Sequence, residues 1–278
     1  MITNNWMFDI ILYLYALSLL FFFSDFLRHD RHVKQTGTGL LAFVWLLKAA
    51  FFFTRMFAGD YVPVLTMFET LFFFAWVLVT LTLVFSLSKL FSYDLLVFVL
   101  SCAGFMVLVL ALFNNEATVP SGNRLPFSDK LLMFHIIVAI CSYASFTLSA
   151  VFAGLYLFIH QRLKSKRWSV VLQRAPSLDR VEKSSFVTAV IGMSLLLLSL
   201  LLGIGWIIVM GDWTLAFDPK VLSSLLLLAV YAAYLVQRAS AKWSSWRLAQ
   251  LNLGAYAVII LNFVVSMSLS NFHSWVWR

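Results

Sequence analysis

Two histidines, His135 and His273, carry the most promising chemistry in this sequence. A neutral imidazole is a strong iron ligand, and a pair of them is an ordinary way to hold haem iron. Each heads a stripe of small and polar residues at helical spacing. Below His135 come Ala139, Ser142, Ser145 and Ser149; below His273 come Ser266, Asn262 and Asn252, interleaved with Ile259 and Ala255. Membrane helices that pack closely use residues of this kind. Packing accounts for the stripes, but not for an imidazole at the head of each. Two readings stand side by side: iron or haem ligation, and interfacial histidines with ordinary hydrogen bonds. His29, His32 and His160 lie among Lys and Arg and read as solvated charge partners.

Lys48, Arg55 and Glu69 are ionisable residues inside apolar runs, where charge is expensive and functional roles concentrate. Arg55 and Glu69 can stand level near one end of neighbouring helices, which predicts an ion pair. Lys48 has no carboxylate at its depth, so it faces a polar cavity or reaches toward Asn262 and hydroxyls. Trp206, Trp213, Trp275 and Trp277 gather toward the same end. The last two read as an aromatic belt. Trp206 and Trp213 read as a belt or as a flat surface for a porphyrin.

The elements that position these residues follow from composition. The chain has 278 residues, of which 62% are hydrophobic and only 12% charged, and its mean hydropathy is +0.93. A water-soluble domain carries about 25% charged residues and cannot hide this much apolar surface. A soluble globular protein, a disordered chain and a disulfide scaffold are excluded. A span needs roughly 17–25 apolar residues, and eight runs qualify: 6–27, 37–57, 64–87, 95–113, 131–159, 187–210, 221–238 and 248–270. The fold class is all-α: a polytopic bundle of eight transmembrane helices forming one transmembrane domain over 1–278. Continuous blocks such as Leu195–Leu202 argue against the alternating strands of a β-barrel. The first run reads as a span rather than a signal peptide, because Met1–Asn5 has no Lys or Arg and no small-residue cleavage site follows.

Lys and Arg are distributed unevenly between alternate loops. The loops after spans 1, 3, 5 and 7 hold 14 of them, and the opposite side holds 4. The positive-inside rule then places both termini outside the cytoplasm. The net charge of +8 is thereby a topology signal and an attraction to anionic lipid rather than a nucleic-acid patch. His135 and His273 both come to the external face. The longest loop, 160–186, is basic and cytoplasmic. It reads as a positive-inside anchor or as a docking surface for a cytosolic partner, and Ser177 is placed to cap a short interfacial helix in it, LDRVEKSSF. Cys102 and Cys141 lie within spans without CxxC spacing and read as small apolar residues. There is no P-loop, HExxH, GxSxG or cleft-like carboxylate pair, so nothing supports an enzyme.

Four segments together resemble the CcsA-type cytochrome c assembly superfamily, and within it the HemX branch. They are PVLTMFETLFFFAW (63–76), FHIIVAICSYASFTLSAVFAGLYL (134–157), GWIIVMGDWTLAFDPKVLSSLLLLAVYAAYL (205–235) and NFHSW (271–275). The resemblance implies haem near the external loop, with His135 and His273 at the two histidine positions, Glu69 at the acidic position of the third span, and Asp218 at the end of the tryptophan-rich loop. That loop carries Gly211, Leu215 and Phe217 where the assembly proteins have Trp, which favours the HemX branch over cytochrome c ligation.

The resemblance further implies a multi-pass protein of the bacterial cytoplasmic membrane that regulates haem biosynthesis by lowering glutamyl-tRNA reductase levels. Its cofactor would be haem b, bound by His135, His273, Trp206, Trp213, Asp218, Arg55 and Glu69, with the two histidines as candidate axial ligands of the iron. Arg55, Lys130 or Lys220 would meet the propionates. The reductase or its protease would be the partner at the cytoplasmic loops. The alternative is a haem carrier or chaperone supplying external acceptors; a structural adaptor without a ligand is a third reading.

Overall fold

A computed structural model describes residues 6–28, 30–59, 62–88, 94–113, 130–166, 172, 175–211 and 213–269. The described residues hold eight long α-helices and no strand. They are α1 (Trp6–Arg28), α2 (Arg31–Gly59), α3 (Met67–Leu87), α4 (Asp94–Leu112), α5 (Lys130–Lys164), α6 (Leu178–Met210), α7 (Pro219–Ala239) and α8 (Ser245–Leu269). A short 3-10 helix, Trp213–Phe217, joins α6 to α7. The apolar runs become helices because hydrocarbon cannot satisfy backbone N–H and C=O groups, and a helix satisfies them internally. Seven of them, α1 to α7, are long and apolar enough to cross a bilayer. The run expected over 248–270 corresponds to α8, which has 25 residues.

Local sequence fixes several helix ends. Thr66 and Glu69 form a reciprocal capping box at the start of α3: the Glu69 N–H donates to Thr66 Oγ1 at 3.2 Å, and the Thr66 N–H donates to Glu69 Oε2 at 3.1 Å. Asp218 caps α7, with Pro219 in its first turn. Gly211 ends α6 in the left-handed conformation that glycine adopts without a steric penalty. One expectation is corrected here. LDRVEKSSF is not a separate interfacial helix; it forms the first turns of α6, and Ser177 stands at the N-cap without a side-chain capping bond. Nothing between Phe186 and Val187 breaks a helix, and extending one costs far less than nucleating another. Asp179 and Lys183 pair at 2.8 Å across that first stretch.

The chain packs as two compact units, Met1–Ser128 and Asp129–Arg278. In the first, α1 packs on α2 and α4, and α3 packs on the same two helices, closing a ring of four. Aromatic rings fill its centre: Phe8 against Phe68 at 5.3 Å and Phe51 against Phe72 at 4.8 Å. The Tyr15 hydroxyl donates to the Ser101 carbonyl at 2.9 Å, tying α1 to α4. Lys34 and Asp94 pair at 2.6 Å.

In the second unit, α5 packs on α6 and α8, and α7 packs on the same pair. Phe146 of α5 stacks on Tyr231 of α7 at 3.8 Å. Hydroxyls stitch α5 to α6: Ser142 donates to the Gly192 carbonyl and Ser149 to the Ser185 carbonyl, each at 2.7 Å. Asn252 of α8 donates to Ser149 Oγ at 2.7 Å and Ser185 Oγ at 2.9 Å. Asn262 donates to Ser223 Oγ at 2.9 Å and accepts from the Tyr143 hydroxyl at 3.2 Å. Four of the five polar stripe residues with described side chains thus make interhelical bonds, as packing requires. Ser145 is the exception, bonding back to the Cys141 carbonyl of its own helix.

Candidate functional site

His135 enters from the start of α5 and is held by α6. Its Nδ1 lies 2.6 Å from the Ser199 carbonyl oxygen. A carbonyl only accepts, so Nδ1 carries the proton in this bond, and in the neutral imidazole Nε2 keeps its lone pair. The Ser199 hydroxyl lies 3.1 Å from the same Nδ1 and donates to the His135 carbonyl at 3.0 Å. One helical turn on, Gly203 makes room for the ring. A methyl group there would stand 2.9 Å from Cε1 and 3.0 Å from Nδ1 of His135. The ring is therefore fixed by a backbone acceptor, a hydroxyl and a missing side chain, all on one face of α6. Metal-binding histidines are commonly arranged in this way, with the second nitrogen tied to a carbonyl.

Trp206 lies on that same face of α6, three residues after Gly203, and is 3% exposed. Trp213 stands in the 3-10 helix and is 62% exposed. The structure turns the first inward and leaves the second at the surface. Asp218 is buried at the head of α7, where its Oδ1 accepts from the Lys220 N–H at 2.8 Å. Its position is thus that of a helix cap. His273 lies outside the described residues, as do Trp275, Trp277, His29 and residues 114–129. The backbone of Ser266 is described and its side chain is not.

Arg55 and Glu69 belong to the first unit and form the ion pair that their spacing predicts, with Arg55 Nε 2.8 Å from Glu69 Oε1. The second carboxylate oxygen accepts from the backbone N–H groups of Leu65 and Thr66, each at 3.1 Å. Glu69 therefore closes the entry to α3 and holds α2 beside it. The Arg55 guanidinium also covers the Phe68 ring at 5.6 Å. Lys48 lies deeper in this unit, against the rings of Phe72 and Tyr15. Asn262, one of the groups that the sequence offers Lys48, is hydrogen bonded to Tyr143 and Ser223. Cys102 and Cys141 are free thiols.

Sequence reasoning passed over Ser199 and Gly203 because they sit in the apolar run SLLLLSLLLG. The signal was present. Ser185, Ala189, Gly192, Ser199 and Gly203 repeat at helical steps on one face of α6, opposite the stripe that begins at His135.

The family described as Cytochrome C assembly protein matches residues 64–273. Protein HemX of Brevibacillus brevis is 41% identical over 272 residues, covering 98% of each chain. Protein HemX of Bacillus subtilis (strain 168) is 38% identical over 260 residues, covering 94% of each. Cytochrome c biogenesis protein CcsA of Prochlorococcus marinus (strain MIT 9303) is 27% identical over 275 residues, covering 86% of this chain and 84% of that one. Seven apolar helices and these relatives make this a multi-pass bacterial membrane protein. With four-tenths identity along nearly its whole length and a family match over three-quarters of it, the chain belongs to the cytochrome c assembly family, among its HemX proteins.

Proposed function

We propose that this protein is a non-catalytic membrane regulator of haem biosynthesis. It senses haem b at the external face and lowers the level of glutamyl-tRNA reductase in the cytoplasm. The observation that carries this reading is the His135 imidazole, whose Nδ1 is committed to Ser199 while Nε2 keeps a free lone pair. This donor arrangement suits haem iron, which His135 and His273 would hold. Trp206 and Trp213 offer aromatic surface to the porphyrin, and Lys220 offers charge to the propionates. The relatives' names and the assembly family support a haem-related role.

Regulation requires that haem bind one helix arrangement better than another. α6 suits this task. It grips His135 through Ser199 and Gly203, and toward its first turns Glu182 pairs with Arg238 of α7 at 2.9 Å and accepts from Ser245 of α8 at 2.7 Å. The reductase or its protease would read the cytoplasmic segments 28–34, 160–186 and 238–247.

The test is spectroscopic. Purified protein reconstituted with haem gives a low-spin bis-histidine absorption spectrum, and His135→Ala or His273→Ala removes it. Variants that bind haem like the parent contradict the site. The match to the CcsA protein favours a second reading, a haem carrier supplying external acceptors. Haem-dependent capture of the reductase supports the regulator. Haem transfer to an external acceptor without such capture supports the carrier.

A further inference from the structure

We propose that Lys48 anchors a separate ligand site inside the first unit, for a carboxylate carried on an apolar body. Lys48 lies in the middle of α2, with its side chain 0% exposed and its Nζ without a hydrogen-bond partner. Two ring faces lie beside it: Phe72 at 4.9 Å and Tyr15 at 5.8 Å to their centroids. Ring faces attract a cation, but they are poor acceptors for three N–H donors.

A second, independent observation lies on α4. The Ser101 hydroxyl is also buried without a partner, while its carbonyl takes the Tyr15 hydroxyl at 2.9 Å. Tyr15 therefore connects both unmatched groups, presenting its ring to Lys48 and its hydroxyl to Ser101. A buried cation and a buried hydroxyl short of acceptors specify what completes them, an oxygen-rich anion. Glu69 is engaged by Arg55, Leu65 and Thr66, and Asp94 by Lys34, and the buried Asp9 and Asp25 of α1 are engaged as well. The wall beside Lys48 is aromatic, with Phe8, Phe51 and Phe68 packed around Phe72. An apolar body bearing one carboxylate matches both halves of this environment. A free fatty acid and a tetrapyrrole propionate share that chemistry.

The test uses the full chain in detergent micelles. 9,10-Dibromostearate quenches tryptophan at short range, and Trp45 and Trp76 stand 5.6 Å apart in this unit. The acid should quench saturably, and its uncharged methyl ester should not. Lys48→Met should weaken the acid by about tenfold or more, as loss of a charged hydrogen bond implies, and Lys48→Arg should keep most of the affinity. Ser101→Ala, which leaves the cation in place, should weaken it by roughly threefold and serves if Lys48→Met does not fold. In a second arm, haem is titrated into the His135→Ala protein with and without Lys48→Met. A component lost only with Lys48 identifies the tetrapyrrole as the source; saturable quenching alone identifies the fatty acid. If acid and ester quench alike, and the two haem titrations superimpose, Lys48 is simply enclosed by rings and water and the site does not exist.

Discussion

In the first unit the buried polar side chains include four ionisable groups, Asp9, Asp25, Lys48 and Glu69. Among the described residues of the second unit they are hydroxyls and amides: Ser142, Thr147, Ser149, Ser185, Ser199, Ser224, Asn252 and Asn262, with Asp218 at a helix cap. Both units are rings of four helices, so the fold does not impose the difference. Neutral donors and acceptors match in pairs at small cost, and they tell one helix face from another. That chemistry suits the second unit, where α5 and α6 must hold His135 at a fixed angle. A buried charge needs a partner or a task. Glu69 has both, bonding Arg55 and closing the entry to α3. Lys48 has aromatic rings and no acceptor.

The sharpest way to break this comparison is to remove a charge from the first unit. Glu69→Ala strands Arg55 and uncaps α3. It should destabilise the protein by about 3–5 kcal/mol, read as thermal unfolding in detergent. Arg55→Met combined with Glu69→Leu should recover part of that loss, because no uncompensated charge remains. In the second unit the largest effect should come from Gly203→Ala. Its new methyl meets the His135 ring, costing about 1–3 kcal/mol by overpacking and turning the imidazole away from its present direction. Thermal unfolding and the haem spectrum should change together. Asn252→Ala removes two bonds from the neutral network and should cost about 1 kcal/mol, since interhelical polar bonds in membranes are individually modest. Asp179→Ala breaks an exposed pair and should leave unfolding unchanged. A clear loss there would mean that the first turns of α6 do more than extend the helix.

Much of the scaffold was legible in the sequence because the bilayer imposes one rule on every span. Runs of about 20 apolar residues become helices whatever their partners. Arg55 with Glu69, and the stripe below His135, were legible for the same reason: helical periodicity and depth determine which neighbours are available. The beginning of α6 was not. Charge along LDRVEKSSF suggested a break, whereas continuity of the helix depends on the absence of any residue that would stop it. Ser199 and Gly203 were hidden by the leucines around them, and only the facing histidine gives them meaning. The enclosure of Lys48 depends on which rings α1 and α3 bring beside α2. That is a tertiary fact, and no local spacing carries it.

The most direct measurement is the absorption spectrum of the purified, haem-reconstituted protein beside His135→Ala and His273→Ala. The account predicts a low-spin bis-histidine spectrum for the parent and its loss in each variant, with folding retained. Identical spectra for all three, or no haem uptake by the parent, would contradict it.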